Sequence, residues 1–259
     1  MNSLIPKLAL LILVLLAFFA CASGNTTEPA IPTGKPIQEK PALLSTDQAE
    51  STNRSFYCDC EFDEESINFD SCGYKPIHDE SIRSHRLEWE HVVPAEAFGR
   101  SFVEWREGHE DCVDTSGKSY KGRRCALKTS SLFKQMATDP VNLVQVIGEL
   151  NARRSNFSMA MIPGEKREFG ECDIELENHK IEPRPEIRGD IARIYFYMDE
   201  TYPGHGIISK KNMKLFNAWS AVDRLDIVEC KRWNSFGEQY VSEISSDCSK
   251  IYKYEMSLK

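Results

Sequence analysis

The most informative pair in this chain is a carboxylate beside a histidine, Glu90-His91, within Leu87-Glu88-Trp89-Glu90-His91-Val92-Val93-Pro94-Ala95. A carboxylate is a hard oxygen ligand suited to a cation such as Mg²⁺. A histidine titrates near neutrality, so its neutral ring can take a proton from water. Adjacent residues on a regular strand point to opposite faces, so these two converge on one ligand only where the backbone is irregular. Pro94 marks an end to strand pairing close by. On spacing alone the simpler explanation, a surface Glu beside a structural His, is preferred.

A second candidate is Asn151, in Gly148-Glu149-Leu150-Asn151-Ala152-Arg153-Arg154. Asn costs helix propensity, but its amide oxygen is a neutral hard ligand. One Glu with one Asn leaves most of a Mg²⁺ shell to water and phosphate, as that ion prefers. A helix cap or an exposed polar face accounts for this Asn equally well. The third candidate is electrostatic. Between Thr115 and Thr138 lie Lys118, Lys121, Arg123, Arg124, Lys128 and Lys134, with no acid between Asp114 and Asp139. Arg153 and Arg154 add two more positive charges. Such a local patch can hold phosphate on an acidic chain; a solvated loop is the alternative. H-E-x-x-H, G-x-S-x-G and G-x-x-x-x-G-K-[ST] are absent, which removes the main support for zincin, lipase and P-loop chemistry.

The elements that must position these residues are mostly helical. Val144 to Phe157 reads as one helix, with Asp139-Pro140 as its approach and Ile147, Leu150 and Arg154 on one face. Arg188 to Met198 places Ile191, Ile194, Tyr195 and Met198 at helical spacing. Lys211 to Val222 does the same with Leu215, Phe216, Trp219 and Val222, and both stripes read as core. Leu87 to Val93 alternates as a strand. An α+β domain with more helix than strand follows.

The chain has 259 residues, 41% hydrophobic and 28% charged, with 32 Lys and Arg against 40 Asp and Glu. That composition excludes a disordered, collagen-like or polytopic membrane protein. A net charge of −8 argues against a general polyanion binder. Lys7 precedes an unbroken apolar run, Leu8 to Ala22, which is too short to span a bilayer and reads as a signal peptide over residues 1–22. Phe18-Phe19-Ala20-Cys21 is similar to a lipoprotein box, so lipidation at Cys21 and anchoring to the envelope stand beside simple cleavage. Residues 23–55, with Pro29, Pro32, Pro36 and Pro41, read as a disordered linker, and the folded domain as 56–259. Eight cysteines remain: Cys58, Cys60, Cys72, Cys112, Cys125, Cys172, Cys230 and Cys248. An even number in an exported chain, without any C-x-x-C, reads as four disulfides rather than zinc, with the connectivity open.

The run Leu87 to Ala95 with Phe98-Gly99 resembles the bacterial endonuclease I family. Asn142-Leu143, Ile147-Gly148-Glu149-Leu150-Asn151 and Arg154-Ser155-Asn156-Phe157 are similar to its second block. Arg188-Gly189-Asp190-Ile191-Ala192-Arg193-Ile194-Tyr195-Phe196-Tyr197-Met198 is similar to its third, and Cys58-Asp59-Cys60 with Cys72-Gly73-Tyr74 also fits. The resemblance covers about residues 56 to 230. It implies a disulfide-stabilised ββα-metal (His-Me finger) nuclease domain that is periplasmic or secreted and monomeric. It implies sequence-nonspecific hydrolysis of DNA, with RNA as a further substrate, to 5′-phosphorylated fragments. Glu90 and Asn151 would hold one divalent metal, Mg²⁺ foremost with Mn²⁺ as a substitute. His91 would be the general base, and Arg123 would stabilise the phosphate. Local spacing is one residue shorter than the family pattern, so Arg124 is the alternative to Arg123. Arg124, Arg153 and Arg154 are expected to bind substrate. Gln145, Val146, Ala152 and Arg153 depart from the family's Pro, Ala, Gly and Asp, and the match fades after Cys230. The competing class is a noncatalytic exported nucleic-acid-binding lipoprotein on a nuclease fold.

Overall fold

A computed structural model of the chain describes residues 53–64, 66–164, 166–237 and 245–257. The expected signal segment, Cys21 and most of the expected linker lie outside the described residues. The domain starts earlier than Phe56. Ser55 is buried, and its hydroxyl accepts the Cys60 amide at 3.0 Å, so residues 53–55 belong to the fold.

Strands β1 (Glu61–Phe62) and β2 (Ile67–Asn68) form a short hairpin. Strand β3 (Leu87–His91) leads into four short helices: α1 (Ala95–Gly99), α2 (Val103–Arg106), α3 (Arg123–Thr129) and α4 (Ser131–Ala137). Strand β4 (Leu143–Ile147) then returns antiparallel to β3 and passes directly into helix α5 (Gly148–Arg154). A small sheet ordered β5-β7-β6 follows, from β5 (Ser158–Met159), β6 (Ile174–Glu177) and β7 (Lys180–Pro183). Helices α6 (Arg188–Thr201), α7 (Lys210–Val222), α8 (Ile227–Ser235) and α9 (Ser245–Ser257) complete the described chain. Among the described residues no helix is long and apolar enough to cross a membrane.

The two-strand, one-helix unit β3-β4-α5 carries the candidate residues. Its register runs from Leu87 opposite Ile147 to His91 opposite Leu143. Glu88 and Glu90 therefore share a face with Val146 and Val144, while Trp89 and His91 share the other with Gln145 and Leu143. The single helix expected over Val144–Phe157 is thus corrected to a strand followed by a helix. Leu143-Val144-Gln145-Val146-Ile147 is β-branched and alternating, and pairing with β3 overrides the helical spacing that Ile147 appeared to continue. Gly148 permits the abrupt switch. A Cβ there would lie 2.7 Å from the Arg83 carbonyl oxygen and 2.9 Å from the Glu88 carboxyl group.

The turn feeding β4 is held from behind. Asp139-Pro140 opens one 3-10 turn, Pro140–Asn142, rather than a helix. The buried Asp139 carboxylate accepts the Tyr202 hydroxyl at 2.7 Å, the Tyr197 hydroxyl at 3.1 Å and the Val141 amide at 2.9 Å. Arg232 of α8 donates to the Val141 carbonyl at 2.6 Å. Helices α6 and α7 form at their expected places and pack through Tyr195 and Phe216, ring centroids 4.4 Å apart. Ile191, Ile194, Met198 and Trp219 are buried as expected, but Val222 is 88% exposed, because the helix ends there and leaves the core.

All eight expected cysteines pair: Cys58–Cys172, Cys60–Cys72, Cys112–Cys125 and Cys230–Cys248. The first joins positions 114 residues apart and ties the start of the domain to the approach to β6. Its closure removes the largest loop entropy from the unfolded chain. Replacing both Cys58 and Cys172 by Ser should cost about 2–5 kcal/mol in a urea titration of the otherwise oxidised protein. A midpoint unchanged from wild type would show that this bridge contributes nothing to stability.

Candidate active site

Glu90 and His91 leave the end of β3 in different directions, because pairing with β4 stays regular through His91. Glu90 turns toward α5 and is 5% exposed. Its Oε1 lies 2.8 Å from Nη1 of Arg154, yet makes no hydrogen bond of good geometry. Burial pushes the Glu90 carboxyl up, against the lowering effect of the Arg154 charge. One turn earlier on the helix, Asn151 Nδ2 donates to Glu88 Oε2 at 3.0 Å. A carboxylate only accepts, so the amide nitrogen faces Glu88, and Asn151 Oδ1 accepts no hydrogen bond among the described residues. Glu88 itself is held by Arg83 and Arg86, with Nε of each 2.9 Å from Oε1. Burial raises the Glu88 carboxyl, but hydrogen bonds from the two arginines outweigh it and keep the group ionised.

His91 turns the other way. Its Nε2 lies 2.8 Å from the Ala137 carbonyl oxygen at the end of α4. A carbonyl cannot donate, so Nε2 carries the hydrogen and the lone pair of the neutral ring sits on Nδ1. Burial, reinforced by the charges of Arg123 and Arg154, lowers the imidazole pKa to about 4, against the raising effect of the Ala137 bond. The ring is therefore neutral across the physiological range, the state in which it can accept a proton. Beyond His91, Asn142 continues the ladder with its own side chain. Oδ1 accepts the Val93 amide at 2.7 Å, and Nδ2 donates to the Val93 carbonyl at 3.0 Å.

Four arginines were singled out, and the structure separates them. Arg123, the first residue of α3, is exposed and makes no ion pair among the described residues, while its charge acts on both Glu90 and His91. Arg124 points elsewhere: its guanidinium stacks 3.5 Å over the Tyr120 ring, and its charge acts on Asp114. Arg153 is half-exposed on the far side of α5, 3.2 Å from Glu168 and over the Phe169 ring. It is not brought to the Glu90–His91 end of β3. Arg154 as a substrate contact is corrected. It is 1% exposed and donates from Nη1 to the His91 carbonyl at 2.8 Å and from Nη2 to the Val92 carbonyl at 2.5 Å. A guanidinium spent on three internal oxygens has no face left for phosphate.

The endonuclease I family model matches residues 38–239. The chain is 35% identical to Endonuclease-1 of Buchnera aphidicola subsp. Acyrthosiphon pisum (strain APS), over 69% of this chain and 67% of that one. It is 34% identical to an extracellular deoxyribonuclease of Aeromonas hydrophila, over 71% and 77%. It is 33% identical to a periplasmic deoxyribonuclease of the same organism, over 71% and 73%. The chain belongs to the endonuclease I family. It is a nuclease with a ββα-metal fold, and β3-β4-α5 is the unit that gives the fold its name.

Within that endonuclease I fold, several supporting residues gave little sequence signal. Glu149 is buried and accepts the Tyr74 hydroxyl at 2.7 Å and the Ile77 and His78 amides at 3.1 and 2.9 Å, pinning the segment before β3 to α5. Its position beside Asn151 in the second block was the only pointer. The Arg154 cluster extends to Tyr57 and Tyr195; burial drives both hydroxyls above their usual range, Tyr57 strongly. Arg154→Met should destabilise the protein by about 3–5 kcal/mol, because Glu90 is left as an unpaired buried charge. Adding Glu90→Gln should recover part of that loss in the same urea titration. Strict additivity of the two changes would argue that the pair is not coupled.

Proposed function

We propose that this nuclease is an exported, metal-dependent endonuclease acting on DNA and on RNA without sequence preference, leaving 5′-phosphorylated fragments. The observation that carries the reading is the fixed tautomer of His91, whose Nδ1 lone pair is free beside the unpaired Arg123. The donor set at Glu90 and Asn151 fits a hard cation. Glu90 Oε1 is ion-paired with Arg154 at 2.8 Å without a hydrogen bond of good geometry, and the Asn151 amide oxygen is aimed by its own nitrogen's bond to Glu88. Among the described residues no three His, Cys, Asp or Glu side chains cluster to hold a metal, so the site suits an ion that keeps most of its water, as Mg²⁺ does and Mn²⁺ can. Bound there, the ion would supply charge neutralisation at the phosphate and the leaving 3′ oxygen.

The chain's own residues do the rest. Nδ1 of His91 takes a proton from a water whose oxygen attacks phosphorus; the P–O3′ bond breaks, the upstream fragment leaves with a 3′ oxygen that takes a proton from water, and the downstream fragment keeps the phosphate on its 5′ end. In-line displacement places the attacking and leaving oxygens on opposite sides of phosphorus. Side chains leaving opposite faces of one strand end can address both. Arg123 offers its unpaired guanidinium to a phosphate oxygen. Contacts of this kind read charge rather than bases, which fits a nonspecific enzyme. The names of the extracellular and periplasmic relatives support export, and the signal-like start is consistent with it; lipid attachment at Cys21 is the anchored variant of the same proposal.

Supercoiled plasmid should be nicked and degraded by the oxidised protein with Mg²⁺, and not with excess chelator. His91→Ala should lose about 10²–10⁴-fold in rate while still binding DNA. Equal rates for mutant and wild type would remove His91 as the base. Asn151→Ala should shift the Mg²⁺ titration to higher concentration, and an unchanged titration would take Asn151 out of the ligand set. DNA binding without cleavage under any divalent metal would favour the noncatalytic binding protein.

A further inference from the structure

Trp89 stands between Glu88 and Glu90 but faces away from both. The β3-β4 register places it on the opposite face of the sheet, with His91 two residues on and Gln145 across from it. Its side chain is 53% exposed. Its carbonyl accepts from Asn151 Nδ2 at 3.5 Å, but among the described residues its indole makes no hydrogen bond, ring stack or cation–π contact, whereas Trp105 packs against Phe133, Trp219 against Phe216, and Trp233 against Tyr197 and Phe236. Three of the four tryptophans thus serve the core, and the fourth lies open on the strand that carries the general base. Burying this indole is worth more than burying any other side chain. Leaving it open one pleat repeat from His91 keeps a flat apolar surface beside the reacting phosphate.

We propose that Trp89 is a stacking platform for a nucleobase of the strand being cut, next to the scissile phosphate. The inference rests on the nuclease reading and adds a base-contacting subsite to it. The occupant is a base rather than another protein surface for two reasons. The indole is continuous with the His91 side of the site, and the unpaired Arg123, which acts on that same His91, supplies the positive charge that holds the backbone. Stacking is sequence-tolerant because every base has a π-face, so the contact is compatible with nonspecific cleavage. It requires a base free of its own stack. Single strands, frayed ends and flipped nucleotides can supply one, and an undisturbed duplex cannot. Trp89 therefore biases the enzyme toward unpaired nucleic acid.

The test is direct binding by the full oxidised chain in excess chelator, where no cleavage occurs. A short single-stranded oligonucleotide and its duplex are titrated, reading both the anisotropy of a label on the DNA and tryptophan emission. The single strand should quench wild-type emission, and the quench should vanish in Trp89→Phe. Trp89→Ala should weaken single-strand binding about tenfold and duplex binding by less than half of that factor. Trp89→Phe, which keeps an aromatic face, should stay within about threefold of wild type. Trp89→Phe also guards against an unfolded Ala variant, and matching thermal midpoints establish that both are folded. Quenching that survives in Trp89→Phe, or equal losses on single strand and duplex in Trp89→Ala, would overturn the platform while leaving the nuclease reading intact. A wild-type protein that binds neither oligonucleotide would overturn the platform, and plasmid cleavage by the same preparation with Mg²⁺ tells that failure apart from a failure of the nuclease reading.

Discussion

The site depends on one buried guanidinium. Arg154 reaches from the last turn of α5 to the end of β3 and meets the Glu90 carboxylate and the carbonyl oxygens of His91 and Val92. Those backbone oxygens are where the strand runs out of partners, and buried orphan carbonyls are costly. A single planar group satisfies two of them and offsets a carboxylate that burial would otherwise protonate. The helix supplying Asn151 and the strand supplying Glu90 and His91 are thereby fixed to each other by charge as well as by packing. A buried ion pair is seldom the cheapest way to join two elements. Here the Arg154 charge opposes the upward push that burial gives the Glu90 carboxyl, which an apolar replacement could not do.

The same economy explains the surrounding architecture. The β3-β4 pair is only two strands wide, and an isolated two-stranded pair is marginal without outside support. Support arrives on both faces. Helix α5 covers the Glu88 and Glu90 side, while the end of α4 meets His91 and the Asp139–Tyr202 contact braces the turn into β4. Disulfides add cross-links to a buried apolar core that includes Val92, Val93, Val144 and Val146. Cys112–Cys125 is the bridge nearest the basic stretch, and it fastens the loop before Arg123 to the helix that Arg123 begins. A net acidic chain can thus present an unpaired cation at one place without a broad basic surface that would bind polyanions indiscriminately.

Part of the placement was legible in the sequence: Glu90-His91 falls on the strand expected over Leu87 to Val93, and helices α6 and α7 have unbroken apolar periodicity. What was misread has physical causes. Val144 to Ile147 satisfies helical spacing and strand alternation alike, and only the partner strand, whose paired residues lie 54 to 60 positions upstream, decides between them. Arg154 is chemically identical to Arg153 in a sequence, yet one faces the interior and the other solvent, a difference of one residue on a helix. Glu88 and Glu149 look like surface acids beside known motifs. They are the orienting groups, one aiming Asn151 and one anchoring the chain before β3. Disulfide pairing was not legible, because connectivity is a property of the fold and not of cysteine spacing.

The choice between Arg123 and Arg124 shows how such ambiguities close. Sequence spacing leaves them equivalent, since they are adjacent and differ only in register against a family pattern. On a helix they are about 100° apart, so one element cannot aim both at the same phosphate. Arg124 is already stacked on Tyr120, a contact that consumes the guanidinium face on a solvent-exposed loop. Arg123 carries no such commitment, and its charge is felt at both Glu90 and His91. A transition state that gains negative charge rewards a cation held nearby but not yet paired, because no existing partner must be given up when that charge develops. By that criterion the proposed role at the phosphate falls to Arg123 rather than Arg124.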